Sequence, residues 1–303
     1  MNKGIIYILL SGICFIVVNT FVKILGQGPD QTIIDGIQKY PIPEIILFRS
    51  IITFLMCYAI IKSKGIPLFG NNKKWLIVRG IFGTTALTLF FYTIDNLPIA
   101  IATTVQYLSP IFTVIIAIFL LKERVNKIQW LFFFIAFGGI VFMGLSKFLS
   151  SDSTVTTINP WWILAGIGSA MCAGVSYNAI VKCKHTDAPI TIVSYFPIVA
   201  IPVMAVLTAA DYVVPVGKEW IILIIIGVFT QFAQLLMTKA LHTDNTATIT
   251  PFKYFGSIYA FFLGLFLFDE VISLYGIAGM VLILIGVLGN TYFRNRKKKT
   301  KLS

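Results

Sequence analysis

The side chains best placed to do chemistry are two basic residues inside otherwise apolar segments, Arg49 and Lys253. A charged group within a stretch that can cross a bilayer is costly, so each one is a candidate for function. Two buried cations favour an anionic or zwitterionic substrate, because an acidic group would pair with them. Two structural roles stay open: Arg49 pairs with Glu44 or a backbone carbonyl, and Lys253 extends its side chain toward the membrane surface.

Uncharged polar residues recur on single faces of the same segments, where they could line a cavity. Gln231 and Gln234 lie one turn apart on one helical face, and two amides so placed need partners or water. Interhelical hydrogen bonding is the alternative role, and Ser and Thr hydroxyls fit it better than substrate contact. Together with the two cations, the candidate substrate-binding residues are Asn19, Arg49, Thr85, Gln106, Tyr107, Pro110, Ser176, Gln231, Gln234, Lys253 and Tyr254.

Catalytic and metal-binding chemistry finds no support in the sequence. The only two histidines, His185 and His242, fall at loops, and no Ser/His/Asp set or pair of mid-membrane aspartates is visible. The four cysteines lie in or at the ends of apolar segments, where Cys packs as a small hydrophobic residue. We therefore expect no enzymatic activity, no metal, no cofactor and no disulfide framework.

The elements that must position these residues are membrane-spanning helices. Of the 303 residues, 57% are hydrophobic and 12% charged, whereas soluble domains carry about 25% charged residues. This composition excludes a water-soluble enzyme and a disordered chain. Apolar segments of about 20 residues predict an all-α, polytopic membrane bundle of ten transmembrane helices. The segments are Gly4–Leu25, Pro43–Ile61, Trp75–Ile94, Pro98–Leu121, Ile128–Leu145, Pro160–Val181, Ala188–Ala209, Glu219–Ala240, Thr246–Phe268 and Leu274–Phe293.

The formal net charge of +12 first suggests a nucleic-acid partner, but its distribution has another explanation. With the amino terminus in the cytoplasm, 18 of the 24 basic residues fall on that side, Arg79 among them, and four on the other. Cytoplasmic loops of membrane proteins carry such an excess of Lys and Arg. We therefore expect cytoplasmic termini and no nucleic-acid partner. The expected partners are the lipid bilayer and a small-molecule substrate, and a homodimer is left open.

The two halves of the chain are similar to each other. At an offset of 147 residues, Tyr107 aligns with Tyr254 and Glu123 with Glu270. Each half would hold five spans, an odd number, so the second copy would enter the membrane from the opposite side. Inverted repeats of this kind are typical of secondary transporters, whose substrate site lies near the midplane between the halves.

Short motifs in both halves carry a further resemblance. The residues are Leu108, Ser109, Pro110, Glu123, Arg124, Gly138 and Gly139 in the first half, and Asp269, Glu270, Gly279 and Gly286 in the second. This pattern resembles the EamA domain of the drug/metabolite transporter superfamily, which implies ten spans in two five-helix copies and transport as the function. The second half departs from the pattern where Gly256-Ser257 replaces Ser109-Pro110, a change that can shift the helix kink.

The predicted organisation has four parts: a first five-helix repeat at residues 4–145, an extracytoplasmic linker at 146–159, a second repeat at 160–293 and a basic cytoplasmic tail at 294–303. The expected function is secondary transport of a small, amphipathic organic metabolite, anionic or zwitterionic, by alternating access, with export favoured. A membrane enzyme and a non-transporting scaffold or pore are the alternatives. The Ile- and Lys-rich composition favours a bacterial inner membrane.

Overall fold

The structure, a computed structural model, describes residues 3–30, 33–121, 127–149, 159–183, 186–243, 255–270 and 272–300. Throughout these residues the regular structure is helical, and none of it is β-strand. A helix satisfies its own backbone hydrogen bonds, which is why long apolar segments in a bilayer fold in this way. The predicted all-α class is confirmed.

The helices follow one another with short connections. α1 is followed by a 3-10 turn at Gly28–Asp30. In chain order the helices are α1 (Lys3–Gln27), α2 (Ile42–Lys64), α3 (Lys73–Asn96), α4 (Ile99–Gln106), α5 (Ser109–Leu121), α6 (Lys127–Leu149), α7 (Pro160–Cys183), α8 (Pro189–Thr208), α9 (Lys218–Thr243), α10 (Phe255–Leu267) and α11 (Leu274–Thr300).

Seven helical segments of the described chain are long and apolar enough to cross a membrane. They coincide with the predicted spans one to four and six to eight, the fourth comprising α4 and α5 together. At the fifth and tenth predicted spans, α6 and α11 contain shorter apolar stretches, Trp130–Phe142 and Leu274–Gly289. Of the ninth predicted span, residues 246–254 lie outside the described residues, and the remainder includes α10.

The fourth predicted span is two helices and not one. α4 ends at Gln106 and α5 begins at Ser109, one residue before Pro110. Proline has no N–H, and its ring clashes with the carbonyl four residues back, so a helix that meets it is interrupted. The turn is held by short-range hydrogen bonds, from the Leu108 N–H to the Val105 carbonyl (3.0 Å) and from the Ile111 N–H to the Leu108 carbonyl (2.9 Å).

Most helices pack against a partner from the other half of the chain. α1 packs on α9, α2 on α8, α3 on α7, α4 on α10 and α6 on α11. Exchanging α1 with α7, α2 with α8, α3 with α9, α4 with α10 and α6 with α11 leaves this set of pairs unchanged. The bundle is therefore held together chiefly between the halves.

Two glycines set the distance between α6 and α11. A β-carbon at Gly139 would lie 2.6 Å from the Gly279 carbonyl oxygen, and one at Gly286 would lie 2.6 Å from the Phe132 carbonyl oxygen. Any larger side chain would push the two backbones apart. Small residues at such positions permit the close helix packing on which membrane proteins depend.

One end of the bundle, called here the closed end, is formed by the segment 33–41, the start of α9 and the connection from α10 to α11. There Glu219 accepts hydrogen bonds from the Tyr40 hydroxyl (2.6 Å) and the Gln38 backbone N–H (2.7 Å). Glu44 accepts one from the Val213 N–H (3.0 Å). Burial and the Glu219 carboxylate raise the pKa of the Tyr40 phenol, so the hydroxyl keeps its proton and remains a donor.

Candidate functional site

Between the two halves lies a cavity of about 230 Å³, lined by residues of α1 to α5 and α7 to α9. Ligand pockets commonly measure roughly 300–1,000 Å³, so this cavity suits a small solute. α1 contributes residues between Ile8 and Asn19, and α9 contributes Gln234 and Met237. These parts of the helices are remote from the closed end, so the cavity lies toward the opposite end of the bundle.

Arg49 lines this cavity from α2, as the sequence predicts for a site residue. Its side chain is 3% exposed. The Nε atom donates to the Thr230 hydroxyl (2.9 Å), and Nη1 has no hydrogen-bond partner within the described chain. The guanidinium carbon lies 5.1 Å from the Phe196 ring centroid and 5.6 Å from that of Phe91. The carboxylate of Glu44 binds Val213 and forms no ion pair with Arg49.

Arg79 is a second cation of the cavity, and the sequence interpretation missed it. The predicted topology counts Arg79 with the cytoplasmic basic residues, but the side chain lies within α3, is 7% exposed and lines the cavity. Its Nε has no partner among the described residues, and its guanidinium carbon lies 5.7 Å from the Phe196 ring centroid. The signal that could have found it is the apolar run Trp75–Val78, which separates Arg79 from the loop lysines.

Neutral polar groups surround the two arginines. The Gln106 side-chain oxygen accepts a hydrogen bond from the Ser169 hydroxyl (2.8 Å), which joins α4 to α7. The Ser176 hydroxyl donates to the backbone carbonyl of Arg79 (3.4 Å), which joins α7 to α3. Seven of the predicted residues share this lining: Asn19, Arg49, Gln106, Tyr107, Pro110, Ser176 and Gln234.

The remaining predicted residues lie elsewhere. Thr85 is exposed, and its hydroxyl donates to the Ile81 carbonyl one turn back (3.1 Å). Gln231 is buried between α9 and α2, where its amide nitrogen lies 3.3 Å from the Cys57 sulfur. Lys253 and Tyr254 lie outside the described residues.

The arrangement suits binding better than bond-making chemistry. Arginine stays protonated in proteins, so neither cation can serve as a general base. Within the described parts of the chain, no group of three or more His, Cys, Asp or Glu side chains could hold a metal ion. What these side chains can do is attract and orient an acidic solute through charge-assisted hydrogen bonds.

Comparison with known protein families gives a match over both halves of the chain. The model of the EamA-like transporter family matches residues 2–145 and 160–292. The chain belongs to the EamA-like transporter family. It is therefore a multi-pass membrane protein of the drug/metabolite transporter superfamily.

Relatives of this EamA-like chain are named as transporters. The pseudopaline exporter CntI of Pseudomonas aeruginosa (strain UCBPP-PA14) is 28% identical over 290 residues, which cover 95% of each chain. Solute carrier family 35 member G1 of Homo sapiens is 25% identical over 296 residues, which cover 94% of this chain and 78% of that protein. A solved crystal structure matches with a TM-score of 0.63 at 17% identity, covering 97% of this chain and 98% of that one. This last likeness shows the fold alone.

The EamA-like bundle also holds a buried cation that has a carboxylate partner. At the closed end, Lys23 forms a buried ion pair with Glu270, and its Nζ donates to the Leu97 carbonyl (2.8 Å). The Glu270 carboxylate also accepts from the Ile99 N–H (3.0 Å) at the start of α4. This closed-end cluster joins α1, α4 and the α10–α11 connection. The sequence offered one signal for it, since both charges fall on the same predicted side of the membrane.

Proposed function

We propose that the chain is a secondary transporter that exports a small organic metabolite, anionic or zwitterionic, by alternating access. The observation that carries this proposal is Arg49, a buried guanidinium that lines the cavity between the halves and has no carboxylate partner among the described residues. An unpaired buried charge costs several kcal/mol. An acidic substrate would supply the missing partner.

The architecture in this proposal is ten transmembrane helices in two inverted five-helix repeats. The pairing of helices across the halves supports it, because exchanging the halves reproduces the same pairs. α4 and α5 count as one broken span, so each half contributes five. In transporters built from inverted repeats, the substrate site lies at the interface of the repeats, which is where this cavity is found.

The proposed orientation places both termini in the cytoplasm, in a bacterial inner membrane. The excess of basic residues on one predicted side supports it. This orientation turns the closed end outward and brings the cavity toward the cytoplasm. The closed-end cluster then blocks the outer exit, and release of the solute requires Lys23 and Glu270 to separate while the helices close beneath the cavity.

Export as the direction is supported by two observations. The cavity lies toward the proposed cytoplasmic end, where it can take up a solute made inside the cell. The relative CntI is named as an exporter, and the match between the two chains covers 95% of each.

A binding screen followed by an efflux assay tests the proposal. Detergent-purified protein is heated with each member of a panel of carboxylic acids, amino acids, organic cations and neutral sugars. We expect acidic members to raise the melting temperature, because a ligand that binds the native state stabilises it. The acid with the largest shift is then loaded into proteoliposomes, and its efflux is measured.

Two variants make the efflux assay specific. Arg49→Gln should lower efflux about tenfold or more, since a hydrogen bond to a charged group contributes about 1.5–3 kcal/mol. Thr85→Val is the matched control, because Thr85 is exposed and outside the lining. Stabilisation by cations or sugars and by no acid, or full efflux in Arg49→Gln, would refute the proposal.

A further inference from the structure

Arg49 and Arg79 place two guanidinium groups against one aromatic ring in the cavity. Their guanidinium carbons lie 5.1 Å and 5.7 Å from the centroid of the same Phe196 ring. The two guanidinium carbons are therefore no farther apart than the sum of these two distances. Like charges at such a separation repel each other where the dielectric constant is low. Both side chains are more than nine-tenths buried. We call these two residues the arginine pair.

Neither member of the arginine pair is neutralised within the described residues. Nη1 of Arg49 and Nε of Arg79 are buried without a hydrogen-bond partner there. Where the chain neutralises a buried cation, it supplies a carboxylate, as Glu270 does for Lys23. Repulsion between two cations is strong in surroundings of low dielectric constant, so a ligand that cancels both charges removes a large unfavourable interaction.

We propose that the substrate presents two negative charges to the arginine pair, so that the cavity selects a dianion over a monoanion. This inference deepens the proposed function and rests on it. A single charge would leave one guanidinium unpaired, whereas two charges would also cancel the repulsion between them. The charges can come from two carboxylates or from one phosphoryl group, and guanidinium binds each of these through two parallel hydrogen bonds.

The lining residues outside the arginine pair restrict the size and polarity of the uncharged part of the substrate. Apart from the arginine pair, the walls include Phe15, Ile16, Leu87 and Phe90, which favour a hydrocarbon body. The neighbouring amides of Asn19 and Gln234 are uncharged. The volume of about 230 Å³ allows only a small body. The favoured class is a short-chain organic diacid or a small phosphate monoester.

Matched probes test whether the second charge matters. Full-length protein in detergent is titrated with succinate and monomethyl succinate, which have similar size and differ by one charge. A second series compares glycerol 3-phosphate with glycerate. Affinities come from the shift in melting temperature with ligand concentration. We expect the dianion to bind about tenfold more tightly or better in at least one series, as an added charged hydrogen bond predicts.

Variants of Arg79 separate this inference from the proposed function. Arg79→Gln should lose the preference for the dianion, because removing this lining cation should weaken binding of succinate about tenfold more than binding of monomethyl succinate. Arg79→Lys keeps the charge and should retain part of that preference, so it serves where Arg79→Gln does not fold. Circular dichroism and gel filtration report the fold of each variant.

The outcomes are distinct. Equal affinity for monoanion and dianion in both series, or an equal loss of both in Arg79→Gln, overturns the inference and leaves the proposed function in place. Absence of binding by every anion of both series overturns the proposed function. A preference confined to succinate supports two carboxylates, and one confined to glycerol 3-phosphate supports a single phosphoryl group.

Discussion

The closed-end cluster and the arginine pair both bury positive charge in the same bundle, and they do so in opposite ways. Lys23 has a carboxylate, a backbone carbonyl and an aromatic ring around its ammonium group. Arg49 and Arg79 share the Phe196 ring and have no carboxylate among the described residues. The cation of the closed-end cluster has a carboxylate counterion within the protein, whereas the two cations of the arginine pair have none among the described residues.

This difference distinguishes a buried charge that stabilises the fold from buried charges that are available to bind a ligand. A buried cation that is fully paired gives the bundle a fixed contact at one end. A buried cation that is left unpaired lowers stability, and its presence needs another explanation. Variants that remove charges from the two regions should therefore change stability in opposite directions.

The largest effect is expected at the closed-end cluster. Glu270→Gln removes the carboxylate charge that pairs with Lys23 and leaves that ammonium group buried without its ion-pair partner. Breaking a buried ion pair in this way costs about 3–5 kcal/mol of unfolding free energy. Denaturation of the detergent-solubilised protein measures the loss.

A double variant provides the control for that measurement. Lys23→Met combined with Glu270→Leu removes both charges, so it should recover much of the stability that Glu270→Gln loses. If the double variant is as unstable as the single one, the ion pair is not what holds the closed end together.

Removing a charge from the arginine pair is expected to raise the unfolding free energy, by less than the loss expected at the closed-end cluster. Arg79→Gln should raise the unfolding free energy of the ligand-free protein by about 1 kcal/mol. This is the net of about 1–3 kcal/mol for an unpaired buried donor and a cation–π contact of about 0.5–2 kcal/mol. The same denaturation assay without added anion measures the gain. A clear loss of stability would show that Arg79 is already paired.

The smallest effects are expected at two hydroxyl groups, one in the cavity lining and one on the exposed surface. Ser176→Ala removes a hydrogen bond to the Arg79 carbonyl and should weaken binding of the acidic probe by about 1 kcal/mol. Thr85→Ala changes an exposed side chain and should stay within about 0.5 kcal/mol in both stability and binding. Equal effects of the two changes on binding would contradict the assignment of Ser176 to the binding site and of Thr85 to the outer surface.

Helical periodicity explains how much of the site the sequence could predict. Residues three and four apart share a face, so a polar face in an apolar helix identifies groups such as Asn19 and Gln234 without any structure. Thr85 shows the limit of this reasoning. Its hydroxyl is satisfied by a carbonyl in its own helix, so it can sit on an outward face at little cost.

Relations between helices are the part that the sequence could not predict. Arg79 follows a cluster of loop lysines. Counting the basic residues on each predicted side of the membrane therefore groups Arg79 with these cytoplasmic lysines and does not identify it as a site residue. Which cation meets which carboxylate depends on how α1, α4 and α10 come together. Periodicity within one helix contains no information about that choice.

The separation of Lys23 and Glu270 along the chain has a consequence for synthesis. The two residues are 247 positions apart, so at about 5–20 residues per second Glu270 leaves the ribosome roughly 12–50 s after Lys23. Until then Lys23, near the end of α1, must keep its ammonium group among water and lipid headgroups. A polypeptide truncated before Glu270 therefore lacks the carboxylate that pairs with Lys23 in the finished protein. An ammonium group without this ion-pair partner distinguishes the incomplete chain from the finished protein.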